Sequence, residues 1–172
     1  MIFTESILAL IAGRRARRPA ASLAALDQLF YRLATCAGTE AVETEDRIWR
    51  VWMDHPHRAA AEALKLATGD IAAQRYDIAE TRLTRLLRSA PQFAEAWHKR
   101  AALYYLLGRD EECLGDIRRT LELEPRHFAA MLHFAEIHLG AGAAAAARYA
   151  FAAALSLHPH HSRAREALAN KA

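Results

Sequence analysis

The chain has little with which to cross-link itself. Its 172 residues include two cysteines, Cys36 and Cys113, with neither a CxxC pair nor the spacing of a cysteine-held zinc, so a disulfide or zinc-finger framework is excluded as its source of stability. Seven glycines, five prolines and 8% aromatic residues against 53% hydrophobic and 25% charged residues suit a helix-rich folded chain better than a disordered one. The length fits one ordinary domain.

Charge of one sign is also scarce. The formal net charge is +3, and residues 1–20, with Arg14, Arg15, Arg17 and Arg18 against Glu5, account for all of it, leaving the body neutral. A basic stripe is not supported, and a nucleic-acid partner is not expected. The apolar run around Ile7 to Ile11 is too short for a bilayer span, which takes about 20 residues. Positive charge follows that run, the reverse of a secretory signal. The expectation is no membrane span and a cytoplasmic location, or a periplasmic one if the true start codon lies upstream. Residues 1–20 read as an extra helix or a loose terminal segment.

Catalytic signatures are missing as well. There is no GxSxG, Walker, dinucleotide or HExxH motif, and Asp110, Glu111 and Glu112 stand where carboxylates favour a helix start. Nine histidines invite a metal test. His133 and His138 are five apart, on different helical faces, whereas zinc pairs on a helix favour a separation of four. His55 with His57, and His158 with His160 and His161, lie at proline-containing helix ends and read as solvated or capping. No catalytic, cofactor or metal residues are expected, and the chain is not read as an enzyme.

What is present is a period. Pro91, Pro125 and Pro159 are 34 residues apart, and alignment on them gives three units, 60–93, 94–127 and 128–161. One column holds Ala67, Ala101 and Ala135, and another holds Ala79, Cys113 and Ala147. Small side chains at matched positions let two helices approach closely, so a small buried thiol is the expectation for Cys113. Leu83, Ile117 and Phe151, then Leu87, Leu121 and Leu155, form an apolar seam on one helical face. In the middle unit Gly108 ends one helix, Asp110 starts the next, and Pro125 stops it. Gly140 and Gly142 mark the third unit's turn, whereas Gly69 and Asp70 weaken the first unit's first helix.

Upstream, Ser22 to Thr35 and Glu40 to Met53 read as two helices with Ser22 and Thr39 as N-caps and Gly38 at the turn. Leu26, Leu29, Phe30 and Leu33 line one face, and Ile48, Val51 and Trp52 line another. This hairpin, within 21–56, is expected to stack on the first repeat as a cap. A short helix within 162–172 should close the other end of the 57–161 repeat array.

Trp97, Ala101, Tyr104, Gly108, Cys113, Ile117 and Pro125 resemble the pattern of the tetratricopeptide repeat (TPR) family, in a bacterial type with three repeats and an N-terminal helical hairpin. Asp70 in the tyrosine column, Arg100 at a usually apolar site and the alanine-rich third unit depart from it. The resemblance implies an all-α, right-handed α-solenoid that acts as a protein-interaction scaffold. The partner, a peptide or helix, would lie in the concave groove made by the first helix of each unit. Carried over by position, that groove comprises Leu64, Thr68 and Ile71, then Glu95, His98, Lys99, Ala102, Tyr105 and Leu106, then Ala129, Leu132, Glu136 and Leu139. Lys99 matches one polar site of the subgroup that binds chaperone tails, but Leu64, Thr68, Ala129 and His133 replace the others, so a C-terminal carboxylate is not the expected ligand. Glu95 and Glu136 would favour a basic neighbour. The competing expectation is that the chain's own ends fill the strip, and accessibility of Tyr105 separates the two. An alternative role is an accessory or chaperone-like subunit of a cell-envelope assembly.

Overall fold

The computed structural model describes residues 2–14 and 24–170, and among them the secondary structure is entirely helical. Three helices precede the repeats: α1 (Thr4–Gly13), α2 (Ala24–Thr35) and α3 (Thr39–Met53). The repeats are the pairs α4 (Arg58–Ala72) and α5 (Tyr76–Ser89), α6 (Ala94–Leu106) and α7 (Asp110–Leu123), and α8 (Phe128–Gly140) and α9 (Ala144–Leu155). Helix α10 (Ser162–Ala169) packs on α9. Each second helix stops shortly before Pro91, Pro125 or Pro159, where the ring and the missing N–H end the ladder. Within each pair the turn is made at one column, occupied by Gln74, Gly108 and Gly142 with φ of 58°, 67° and 74°. Glycine adopts that left-handed backbone without strain, whereas a residue with a Cβ does not. Gln74→Gly is therefore expected to stabilise the protein by about 0.5–1 kcal/mol, read as a rise in the urea midpoint with an unchanged m-value.

The columns pack as the period requires. Ala67, Ala101, Ala135, Ala79, Cys113 and Ala147 are all fully buried where the paired helices cross. Burial pushes the Cys113 thiol far above its ordinary range, as suits an inert packing group. Leu83, Ile117, Phe151, Leu87 and Leu121 fill the seam, while Leu155 in the last repeat is only half-buried.

Both departures in the first two units have a structural reason. Asp70, in the tyrosine column, is buried and accepts hydrogen bonds from Arg75 Nη2 at 2.6 Å and Arg82 Nε at 3.0 Å, tying α4 to α5. Those bonds, from Arg75 first, hold its carboxyl below the usual range. A Cβ at Gly69 would meet nothing, so α4 runs through both positions. Arg100 turns its guanidinium to Asp116 of α7, donating at 2.7 and 2.9 Å, and lies 5.0 Å from the Trp97 ring centroid. An apolar site is thus replaced by an ion pair roofed with aromatic rings.

The chain ends pack differently from one another. Helix α1 buries Ile7 and Ile11 fully and packs against α7 and α9, with Phe3 beside Gly115 and Thr4 Oγ1 2.9 Å from His138 Nε2. The apolar N-terminal run is therefore a docked helix. The cap Ser22 and the cluster Arg15, Arg17 and Arg18 lie outside the described residues. Gly38, with φ of 60°, takes the cap position of α3 in place of Thr39, which is the first helical residue.

The α2–α3 hairpin meets α4 but reaches well past the first repeat. Met53 packs on the first repeat's apolar cluster, whereas Leu26, Leu29, Phe30, Leu33, Ile48 and Trp52 join the core of the second and third repeats. Glu45 comes within 3.0 Å of His158 Nε2, and Arg126 donates to Asp27 at 2.6 Å. Among the described residues the end of the first repeat stays open. Leu66 is 54% exposed there, and a cleft of about 740 Å³ runs past Ala59, Ala63, Ile78 and Leu86. The hairpin's apolar residues are thus removed from water against the second and third repeats, not against that end.

Candidate functional site

The first helices of the repeats, α4, α6 and α8, touch in sequence and present one face. The sequence-assigned strip lies along this face but divides into two halves. Leu64, Glu95, His98 and Leu132 are buried, and Thr68, Ile71, Lys99, Ala102, Tyr105, Ala129 and Glu136 are half-buried. Leu106 and Leu139, at 57% and 40% exposure, are open. The closed half is closed by α3. Trp49 lies 6.0 Å from the His98 ring and 5.8 Å from Phe128, and Trp52 stacks on His127 at 4.1 Å with an interplanar angle of 9°. The Lys99 ammonium sits 5.0 Å above Trp49 and 3.1 Å from Glu95 Oε1. Among the described residues the strip is thus covered over one half by α3, rather than by either end of the chain, and is accessible over the other.

Tyr105 sits on the boundary. Its ring is 5.2 Å from His133, and burial, with the Glu136 carboxylate beside it, raises its phenol above the usual range. Glu136 is paired with Arg163 of α10 at 2.9 Å. Both carboxylates expected to attract a basic neighbour are therefore already committed, Glu95 beneath the tryptophans and Glu136 to Arg163. The open half is left apolar in character.

Beneath the tryptophans lies a polar cluster that sequence spacing did not reveal. Glu95 and His98 share a face of α6 at i and i+3, and His127 caps α8 from the end of the same repeat. Its Nδ1 accepts from the Ala130 N–H at 3.3 Å, which places the ring proton on Nε2, and Nε2 donates to Glu95 Oε2 at 2.8 Å. His98 Nδ1 is 3.4 Å from the same oxygen, yet neither His98 ring nitrogen has a hydrogen bond. Burial alone would raise the Glu95 carboxyl, but the two histidines outweigh it and hold the group well below its usual range. Burial, with His127 nearby, pushes His98 down to about 3 and His133 to about 4, so both are neutral at pH 7. One ligand atom each from Glu95, His98 and His127 lie within 4.8 Å of one another. The available signal was the Glu-x-x-His spacing on α6. His127 enters only because the repeat folds back by 32 residues.

The remaining histidines fall as follows. His138 turns away from His133, toward Thr4 and the Phe134 carbonyl. His161 caps α10, and His57 is exposed. His158 is buried rather than solvated, because Glu45 of the folded-back hairpin meets it.

No family model matches the chain. A curated relative, a TPR repeat-containing protein of Rhizobium etli, is 30% identical over 113 residues, or 65% of this chain and 55% of that protein. The chain spans about half the length of the curated relative it matches. No helix among the described residues is long and apolar enough to cross a membrane.

Proposed function

Proceeding from an all-helical repeat chain that is similar to a TPR repeat-containing protein, we propose that it is a tetratricopeptide-type protein that works by binding, not catalysis, and holds a segment of another protein on the open half of its α4–α6–α8 face. One observation carries the reading. Ile71, Tyr105 and Leu139 occupy the same column of three successive repeats, with exposed Leu106 beside Tyr105. Neighbouring helices pack about 8–10 Å apart, close to the ~10.8 Å of two helical turns, so a guest helix can offer one apolar anchor to each repeat. A partner reading this ladder needs aliphatic or aromatic anchors rather than a cluster of basic residues.

Leu106→Asp/Leu139→Asp tests the surface without touching the core. Its stability is expected to stay within about 0.5 kcal/mol of wild type, while capture of the protein's partner from its native host falls at least about tenfold. Tyr105→Ala should weaken the same capture more than it lowers stability, as measured by urea denaturation. Undiminished capture by the double variant would remove this face from consideration.

A further inference from the structure

We propose that Glu95, His98 and His127 form a buried binding site for one zinc ion, separate from the partner surface above. The donors are two imidazole nitrogens and one carboxylate oxygen. This set suits zinc, whereas calcium and magnesium take oxygen ligands almost throughout. All three side chains are sealed from solvent, and their ligand atoms lie within 4.8 Å of one another. Tetrahedral zinc with bonds of about 2.0–2.1 Å sets its ligands roughly 3.4 Å apart. Glu95 Oε2 and His98 Nδ1 already have that separation, 3.4 Å, and Glu95 Oε2 and His127 Nε2, at 2.8 Å, have only to part slightly.

The second observation is His98 itself. It is 3% exposed, and neither ring nitrogen has a hydrogen-bond partner. Buried polar groups are ordinarily satisfied, so an imidazole left without a partner beside a carboxylate calls for a ligand. Zinc gives its Nδ1 lone pair one. At His127 the ion takes the place of the Nε2 proton, the ring carries its proton on Nδ1 instead, and the long bond from Ala130 is given up. Lys99, whose ammonium neutralises Glu95 Oε1 across 3.1 Å, withdraws along a side chain that is already 21% exposed. With Trp49 and Trp52 covering the site, the ion has no substrate access. Its role is to fasten the second repeat's first helix to the start of the third repeat, beneath the docked hairpin.

The full chain, stripped of metal by chelation, is titrated with Zn²⁺ and with Co²⁺, both folded and during refolding because the rings cover the entrance. The expected result is one tightly held equivalent of Zn²⁺, Co²⁺ absorption bands of a nitrogen and oxygen site whose three protein ligands are completed to four by one water carried in with the ion, quenching of tryptophan fluorescence by Co²⁺, and a rise in Tm of several degrees with Zn²⁺. His98→Gln should weaken the affinity at least about 100-fold, whereas a His57→Ala/His160→Ala variant, lacking two exposed histidines, should bind as wild type does. Glu95→Gln provides a second ligand variant should His98→Gln fail to fold. Absence of the cobalt bands in the wild-type chain, or uptake that disappears with His57 and His160 but survives the loss of His98 or Glu95, overturns the site.

Discussion

Trp52→Ala is expected to lower stability by about 3–5 kcal/mol and to free the α2–α3 hairpin from the repeats. The ring is 6% exposed and stands at a junction: His127 lies 4.1 Å away, Trp49 5.2 Å, Phe128 5.3 Å and Phe30 6.0 Å. Truncation removes the buried area and leaves a void lined by four rings whose mutual contacts are worth more than their area alone. Because α3 seals the polar cluster, water then reaches Glu95, His98 and His127. Urea denaturation measures the loss, and hydrogen exchange locates it. Faster exchange is expected in α2, α3 and the first turns of α6 and α8, with α4 and α5 less affected, since they belong to a separate apolar cluster shared with Ala96 and Leu103 of α6. Exchange confined to α2 and α3 would mean that the hairpin lies on the repeats without supporting them.

The second large effect is expected from Arg100→Met, at about 3–5 kcal/mol at pH 7, because removing one partner of a buried pair leaves the other charge uncompensated. The methionine fills much of the arginine's apolar volume, so the loss reports on Asp116 rather than on a cavity. Burial already raises the Asp116 carboxyl even though Arg100 pulls it down. Without the guanidinium it rises further. An acid with a raised folded-state pKa takes up its proton more readily folded than unfolded, so folding of the variant is favoured as pH falls from neutral through that raised value toward the ordinary carboxylate range. The deficit relative to wild type should therefore shrink on acidification, and a constant deficit between pH 7 and pH 5 would show that lost packing, not the carboxylate, is the cause. Asp116→Asn/Arg100→Met should recover much of the loss at pH 7, since a neutral amide replaces the stranded charge.

Much of the fold was legible because its determinants are local and recur. The prolines stop helices wherever they fall, and six small residues at two columns bury fully in three separate crossings. The turn column was readable at Gly108 and Gly142 but not at Gln74, whose left-handed backbone is imposed by the neighbouring helices. Arg100 looked like a defect at an apolar site because its partner Asp116 is 16 residues away on another helix. The candidate groove was legible as a list of positions. Which of those positions remain open was not, since that depends on where two tryptophans outside the repeats come to rest.

The sequence by itself determined a three-repeat helical array and its seams, because steric stops, helix periodicity and side-chain size act over a few residues and then repeat every 34. Only the tertiary structure decided that the hairpin lies along the repeats, that among the described residues the first repeat's end stays open, and that Glu95, His98 and His127 converge under a tryptophan cover. Those outcomes follow from competition between alternative buried surfaces. The apolar faces of α2 and α3 suit either site by composition, and they are buried on the second and third repeats.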